Sequence, residues 1–216
     1  MLFGLSVLVL NFVNTTGDFI LAEMVNAKAR TLTAGARRHF IGAFYGNFQT
    51  WVSVLTAVVQ IVVVARVFKR VGVGGALLFL PFLAVAGYGA SALLPLLAVV
   101  AAVKVAENST DYSLQNTIQQ ALFLPTSRSA KYKGKATTDT FFVRVGDLAS
   151  TGLVFVGIHL GLGVIGFSLA NLTIAVIWLA LAALLARGYR RISTVEVAGR
   201  RSQPVPAPPL PGDAPR

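Results

Sequence analysis

Long apolar stretches dominate this chain and are separated by short polar and basic segments. No charged side chain occurs in residues 71–103, and in residues 148–186 only His159 could carry a charge. A helix rises about 1.5 Å per residue and the hydrocarbon core of a bilayer is about 30 Å thick, so about 20 apolar residues span it. Each stretch is too long for one span and suits two helices joined by a tight turn. The pattern therefore predicts an integral membrane protein built of helices.

The same pattern predicts six transmembrane helices. We place the spans at about residues 2–25, 40–65, 72–91, 93–113, 140–161 and 164–186. Glycine and proline favour turns, and they mark the two tight connections, near Gly87–Pro95 and near Gly161–Gly166. The expected fold class is an all-α membrane protein whose six-span domain covers residues 1–190.

Two polar segments complete the predicted organisation. The loop between the fourth and fifth spans is expected to contain a short helix within residues 114–139. Prolines crowd the end of the chain from Ser202 onwards, at positions 204, 206, 208, 209 and 211. Such a composition cannot build a core, so residues 191–216 are predicted to form a disordered cytoplasmic tail.

Composition and charge support a location in the bilayer and indicate the orientation of the chain in it. Apolar residues make up 55% of the chain and charged residues 12%, whereas soluble proteins carry about 25% charged residues. The net charge of +11 does not indicate a nucleic-acid partner, because the cations cluster between the apolar stretches. Of the 19 lysines and arginines, 13 fall on the side that holds both termini. Both termini are therefore expected in the cytoplasm, with the spans in a bacterial inner or plasma membrane.

Two oppositely charged pairs lie inside predicted spans. Lys104 and Glu107 belong to the fourth span and Arg144 and Asp147 to the fifth, each pair with i,i+3 spacing. Ionisable groups in lipid cost several kcal/mol unless they are paired or face water, so each is a candidate for function. One interpretation is a self-neutralised ion pair that serves the structure. The other is that the cation is released to bind an anionic substrate.

Two further spans carry stripes of polar residues, which can again be interpreted as structural or as functional. Asn11, Asn14 and Asp18 follow i, i+3, i+7 on the first span. The second span carries its polar residues at i, i+4, i+7 and i+11: Gln49, Ser53, Thr56 and Gln60. Such stripes either bond helices to one another or line a wet cavity, and we favour the cavity.

Catalytic and metal-binding patterns are sparse in this sequence. It has no cysteine and only two histidines, and HExxH, GxSxG and phosphate-binding-loop spacings are absent. The prediction is therefore a protein that is not an enzyme and has neither a metal nor a cofactor.

The region around residues 105–150 resembles a known transporter family. The resemblance rests on Asp111-Tyr-Ser-Leu-Gln-Asn116, Ala121-Leu-Phe-Leu-Pro125, Lys131-Tyr-Lys-Gly-Lys-Ala-Thr-Thr-Asp139 and Arg144-Val-Gly146. These segments are similar to the ATP:ADP antiporters (nucleotide translocases), which have a major-facilitator-like fold of twelve spans in two halves. The chain resembles the C-terminal half, so the resemblance implies that a missing N-terminal half or a second copy completes the transporter.

The resemblance implies alternating-access exchange of an anionic solute, with ATP and ADP as the leading candidates. Lys104, Lys135 and Arg144 would then attract phosphates, and Glu107, Asp139 and Asp147 would be their resting partners. Four amide side chains would line the path: Asn11, Asn14, Gln49 and Gln60. Two other functions stay open, a major-facilitator carrier of another small solute and a membrane subunit that does not transport.

Overall fold

The computed structural model describes residues 2–122 and 138–201. Within them the chain is helical, and the α-helices are α1 Leu2–Arg30, α2 Ala34–Val58, α3 Ala65–Ala76, α4 Phe79–Leu93, α5 Leu97–Thr110, α6 Asn116–Leu122, α7 Val143–His159 and α8 Val164–Arg201. Three π-helical segments continue or precede them: Val59–Val64, Asp111–Gln115 and Thr138–Phe142. The prediction of an all-α protein is confirmed for this part of the chain.

Four helical stretches are long and apolar enough to cross a membrane: Gly4–Arg30, Ala34–Ala76, Thr140–His159 and Val164–Gly188. They carry the first, second, fifth and sixth predicted spans. The third predicted span corresponds to the shorter helix α4, of 15 residues, and the fourth to α5, of 14 residues, which the π-helical segment Asp111–Gln115 and α6 continue to Leu122. A 15-residue helix is about 22 Å long, less than the thickness of a bilayer core of about 30 Å. Four helical stretches thus have the length and composition of membrane spans, which supports an integral membrane protein, and the two additional spans remain a prediction.

The predicted start of the third span, at about residue 72, coincides with a break in the helix. Helical structure runs from α2 through the π-helical segment and α3 to Ala76, past the predicted end of the second span at residue 65, but Gly72 interrupts it. The backbone bends at Gly72, whose φ of 66° lies in the left-handed region that glycine adopts readily. The next helix, α4, begins only at Phe79 because the chain turns at Leu77 and Leu78.

Both predicted tight connections are present. Between α4 and α5 the chain extends at Leu94–Leu96, around Pro95, which disfavours helix at the residue before it. Helix α7 ends at His159, the chain turns at Gly161, whose φ is 71°, and the amide of Leu162 donates to the carbonyl of Gly157 at 2.8 Å. This is the usual way for a glycine to close a helix, and it returns the chain into α8.

Helix α8 extends beyond the predicted end of the membrane domain. It runs to Arg201, so residues 191–201 are helical, although the sequence pattern assigned them to a disordered tail. Between Arg187 and Arg201 there is no proline to interrupt the backbone hydrogen bonds, and prolines begin only at Pro204. The remainder of the predicted tail, 202–216, lies outside the described residues.

Helix α1 is the central helix of the bundle. It contacts α2, α5, α7 and α8, while α4 packs on α5 and α8. Its buried residues Leu10, Val13 and Ile20 join the main core cluster together with Tyr88 and Trp178. This central position places the polar residues of α1 against α5, where the candidate site lies.

Candidate functional site: a buried charge cluster

Lys104 of α5 is the centre of a charge cluster between α1, α4 and α5. Its side chain is completely buried. The ammonium lies 3.0 Å from Oδ1 of Asp18 on α1 and 3.1 Å from Oε2 of Glu107 on its own helix. A buried ammonium is strongly destabilising without such partners, so these two contacts account for its tolerance inside the bundle.

Backbone and amide oxygens complete the environment of Lys104. Its ammonium donates to the carbonyl oxygen of Asn14 at 3.2 Å and also to the side-chain oxygen of that residue. The hydroxyl of Tyr88 on α4 donates to Oε2 of Glu107 at 2.8 Å. The cluster therefore joins three helices through side chains that the sequence places far apart.

Gly17 makes this close approach possible. A Cβ atom at this position would overlap the hydroxyl of Tyr88 and would lie 3.1 Å from Cδ of Lys104. One turn earlier on α1, the carbonyl of Val13 accepts a hydrogen bond from the amide of Asn171 on α8 at 3.0 Å. Small residues at helix contacts in membrane bundles permit this kind of packing.

The two carboxylates of the cluster differ in exposure. The side chain of Glu107 is 1% exposed, whereas that of Asp18 is 57% exposed. Glu107 also has one oxygen, Oε1, that is buried without a hydrogen-bond partner among the described residues. Glu107 is therefore the enclosed partner of Lys104, and Asp18 is the partner at the open edge of the cluster.

Several predicted site residues meet in this cluster. Lys104 and Glu107 form the predicted i,i+3 ion pair, and Asn14 contacts the ammonium. Asp18 was recognised as part of the polar stripe but not as a site residue, and its i,i+4 spacing from Asn14 was the available signal. Tyr88 was missed altogether, because nothing in the local sequence indicates which helix would lie beside Glu107.

The second charged pair is arranged differently. Asp147 does not pair with Arg144 within the described part of the chain; it accepts a hydrogen bond from the hydroxyl of Thr15 at 3.1 Å instead. Arg144 is exposed. Helices α1 and α7 approach closely here, since a Cβ at Gly146 would lie 2.6 Å from the carbonyl oxygen of Leu8. Tertiary packing has thus replaced the local pairing that the i,i+3 spacing predicted.

The amide residues predicted to line a path do not touch the cluster, apart from Asn14. Gln49 and Gln60 are exposed, and the amide of Asn11 donates to the carbonyl of Val7 on its own helix at 2.9 Å. On a helical wheel at about 100° per residue, Gln49 lies about 60° from Val52, whose carbonyl accepts from Ser109 of α5. The polar stripe of α2 therefore flanks its contact with α5 and remains open to the surroundings.

Two predicted residues cannot be placed. Lys135 and the side chain of Asp139 lie outside the described residues. Within the described ranges, no three His, Asp or Glu side chains come together as metal ligands.

Comparisons with protein-family models, with curated proteins and with solved structures found no match to this chain. The resemblance to nucleotide translocases therefore stays a prediction that rests on the segments within residues 105–150. The candidate site is defined by its geometry alone.

Proposed function

We propose that this chain is one half of a secondary transporter that moves a hydrophilic anionic solute by alternating access, with nucleotide exchange as the leading candidate. In this proposal six helices cross the bacterial inner membrane, both termini are cytoplasmic, and a missing N-terminal half or a second copy completes the path. The observation that carries the proposal is the unequal exposure of the two carboxylates that hold the buried Lys104.

The cluster supports a specific step in such a cycle. A buried ammonium needs a negative partner, and Glu107 can remain in place throughout because it is on the same helix. Asp18 lies on α1 and is largely exposed, so an anionic group of a substrate can take its place at Lys104. Exchange of one ion pair for another would change the contact between α1 and α5 at little net cost in free energy. A ligand can shift the populations of two conformations only when it binds them differently, and such an exchange provides that difference.

Polar groups on two other helices would suit a polyanionic substrate. Arg144 is exposed and not paired with Asp147, so it is available as a second cation on α7. The open polar stripe that includes Gln49 and Gln60 offers hydrogen bonds on the neighbouring α2. Transporter halves generally place such groups around a site at mid-membrane.

The competing candidate is a membrane subunit in which the cluster serves only to join helices. The complete burial of Lys104 favours this alternative, because a lysine whose carboxylate partners stay in place has no free position for a substrate anion. The two functions differ in one measurable respect. Only a substrate site gains affinity for an anion when the resident carboxylate is removed.

Asp18→Asn is therefore the decisive variant. With the purified full-length chain in detergent, we expect ATP or ADP to raise the unfolding temperature, and uncharged adenosine to do so much less. Asp18→Asn should lower the nucleotide concentration that gives half of this stabilisation, because the competing carboxylate is gone. Glu23→Gln is the matched control, since it removes the same charge five positions further along α1, and it should leave the concentration unchanged.

Three results would decide against the proposal. If neither nucleotide stabilises the native chain, the nucleotide assignment fails, and inorganic phosphate and simple carboxylates then test the wider anion class. If none of these anions acts, or if Asp18→Asn and Glu23→Gln respond alike, the cluster is not a substrate site.

A further inference from the structure

A groove lies beside a row of cations where α3 and α4 meet. Its volume is about 350 Å³, and its lining combines Arg66 and Arg70 with the apolar residues Val71, Phe79 and Phe82. No part of the charge cluster around Lys104 contributes to it. The groove is therefore separate from the proposed substrate site.

Among the described side chains, none places a countercharge on the cationic residues of the groove. Arg66 and Arg70 are one helical turn apart and share a face, and Lys69 adds a third exposed cation. The sequence contains no acidic residue between Glu23 and Glu107. In residues 2–122 and 138–201, the ion pairs found both belong to the buried lysine of the charge cluster.

The guanidinium groups retain most of their donors. Arg66 donates from Nη1 to the carbonyl of Val62 at 2.8 Å, which uses one of the five N–H groups of its side chain. Guanidinium groups bind phosphate oxygens in a bidentate manner, so two of them on one helix face suit a phosphate ester.

The apolar side of the groove is open. Phe82 is 65% exposed, Val71 50% and Phe79 40%. The bend at Gly72 and the turn before α4 bring these residues next to the arginine face of α3. A small soluble anion would leave the aromatic rings uncovered, and an uncharged lipid would leave the guanidinium groups without a partner.

We propose that this groove binds one anionic phospholipid, with its phosphate at Arg66 and Arg70 and an acyl chain along Phe79 and Phe82. Basic pockets between apolar helices recognise anionic headgroups through this combination of charge and apolar surface. Such a lipid would brace the bend between the long second helical stretch and α4. This site is independent of the proposed substrate.

The test compares lipid binding in nanodiscs of phosphatidylcholine that contain increasing fractions of phosphatidylglycerol. Native mass spectrometry of the full-length chain reports how much phosphatidylglycerol stays bound. Arg66→Gln/Arg70→Gln should weaken retention about 30-fold, because each cation near a membrane surface contributes a factor of about five. The matched control is Arg30→Gln/Arg38→Gln, which removes two exposed arginines at the connection of α1 and α2 and should leave retention unchanged.

Two further arms separate a lipid from a free anion. Phe82→Asn keeps both arginines and changes an exposed ring, so it should fold normally yet retain less phosphatidylglycerol. Inorganic phosphate should not compete with phosphatidylglycerol for the groove. Equal losses in the two arginine pairs would overturn the site in favour of diffuse charge attraction. Competition by inorganic phosphate, or full retention in Phe82→Asn, would overturn the lipid assignment. If the glutamine pair fails to fold, Arg66→Lys/Arg70→Lys with Phe82→Asn decides the question by the same readout.

Discussion

Replacing Lys104 by methionine should be among the most destabilising single substitutions in this chain. Methionine removes the ammonium but keeps much of the side-chain volume, so the loss of stability should come from the missing charge rather than from altered packing. Glu107 is then left as a buried carboxylate at 1% exposure, with only the hydroxyl of Tyr88 as a donor among the described residues. Breaking a buried ion pair by removal of one partner costs about 3–5 kcal/mol.

The double variant Lys104→Met/Glu107→Gln should recover most of this loss. Glutamine is neutral and can still accept the hydrogen bond from Tyr88, so no buried charge remains. Asp18 should contribute less to the cost than Glu107, since its side chain is 57% exposed and that of Glu107 only 1%. Replacement of a whole buried ion pair is often neutral, so we expect the double variant within about 1.5 kcal/mol of the native chain.

The free energy of unfolding can be measured by titration of the detergent-solubilised chain with sodium dodecyl sulfate. Lys28→Met serves as the control, because Lys28 is exposed at the end of α1 and its loss should change the stability by less than about 0.5 kcal/mol. A value for Lys104→Met as small as that of the control would refute the reasoning, because the ammonium could not then be buried among these partners. A double variant as unstable as the single variant would show that Glu107 does not bear the cost.

Two further predictions test packing and topology. Gly17→Ala should destabilise the chain by about 1–3 kcal/mol, since its Cβ would overlap the hydroxyl of Tyr88. Gly42→Ala is the control, because Gly42 has open space around it, and it should be neutral or stabilising in the same titration. Equal effects of the two substitutions would contradict the close approach of α1 and α4. Because the chain has no cysteine, a cysteine introduced at Ala34 should react with an impermeant external thiol reagent in intact cells and one at Ala130 should not, and the reverse labelling would refute a cytoplasmic location of both termini.

The candidate site shows which contacts local spacing can predict. The pair of Lys104 and Glu107 was predictable because residues three apart on one helix are neighbours in any tertiary arrangement. The same rule failed for Arg144 and Asp147, since α1 packs so closely on α7 at Gly146 that Thr15 reaches Asp147. The i,i+3 spacing therefore predicts which side chains are neighbours on a helix, and the contacts with other helices decide which partners they take.

The membrane character and helical class of this protein were determined by the sequence alone. Apolar stretches of spanning length can satisfy their backbone groups only as helices, so composition and length were sufficient. The helix bounds were less predictable: the bend lies at Gly72, where the third span was predicted to begin, but nothing in the apolar residues that follow indicates that α4 starts only at Phe79.

Only the tertiary structure decided what surrounds Lys104. Asp18 and Tyr88 are 86 and 16 positions away from it in the sequence, and they meet because α1 occupies the centre of the bundle. The groove at Arg66 and Arg70 likewise exists only because the chain bends beside them. Contacts between helices depend on which faces pack together, and that choice is made by the summed packing of the whole bundle rather than by any local pattern.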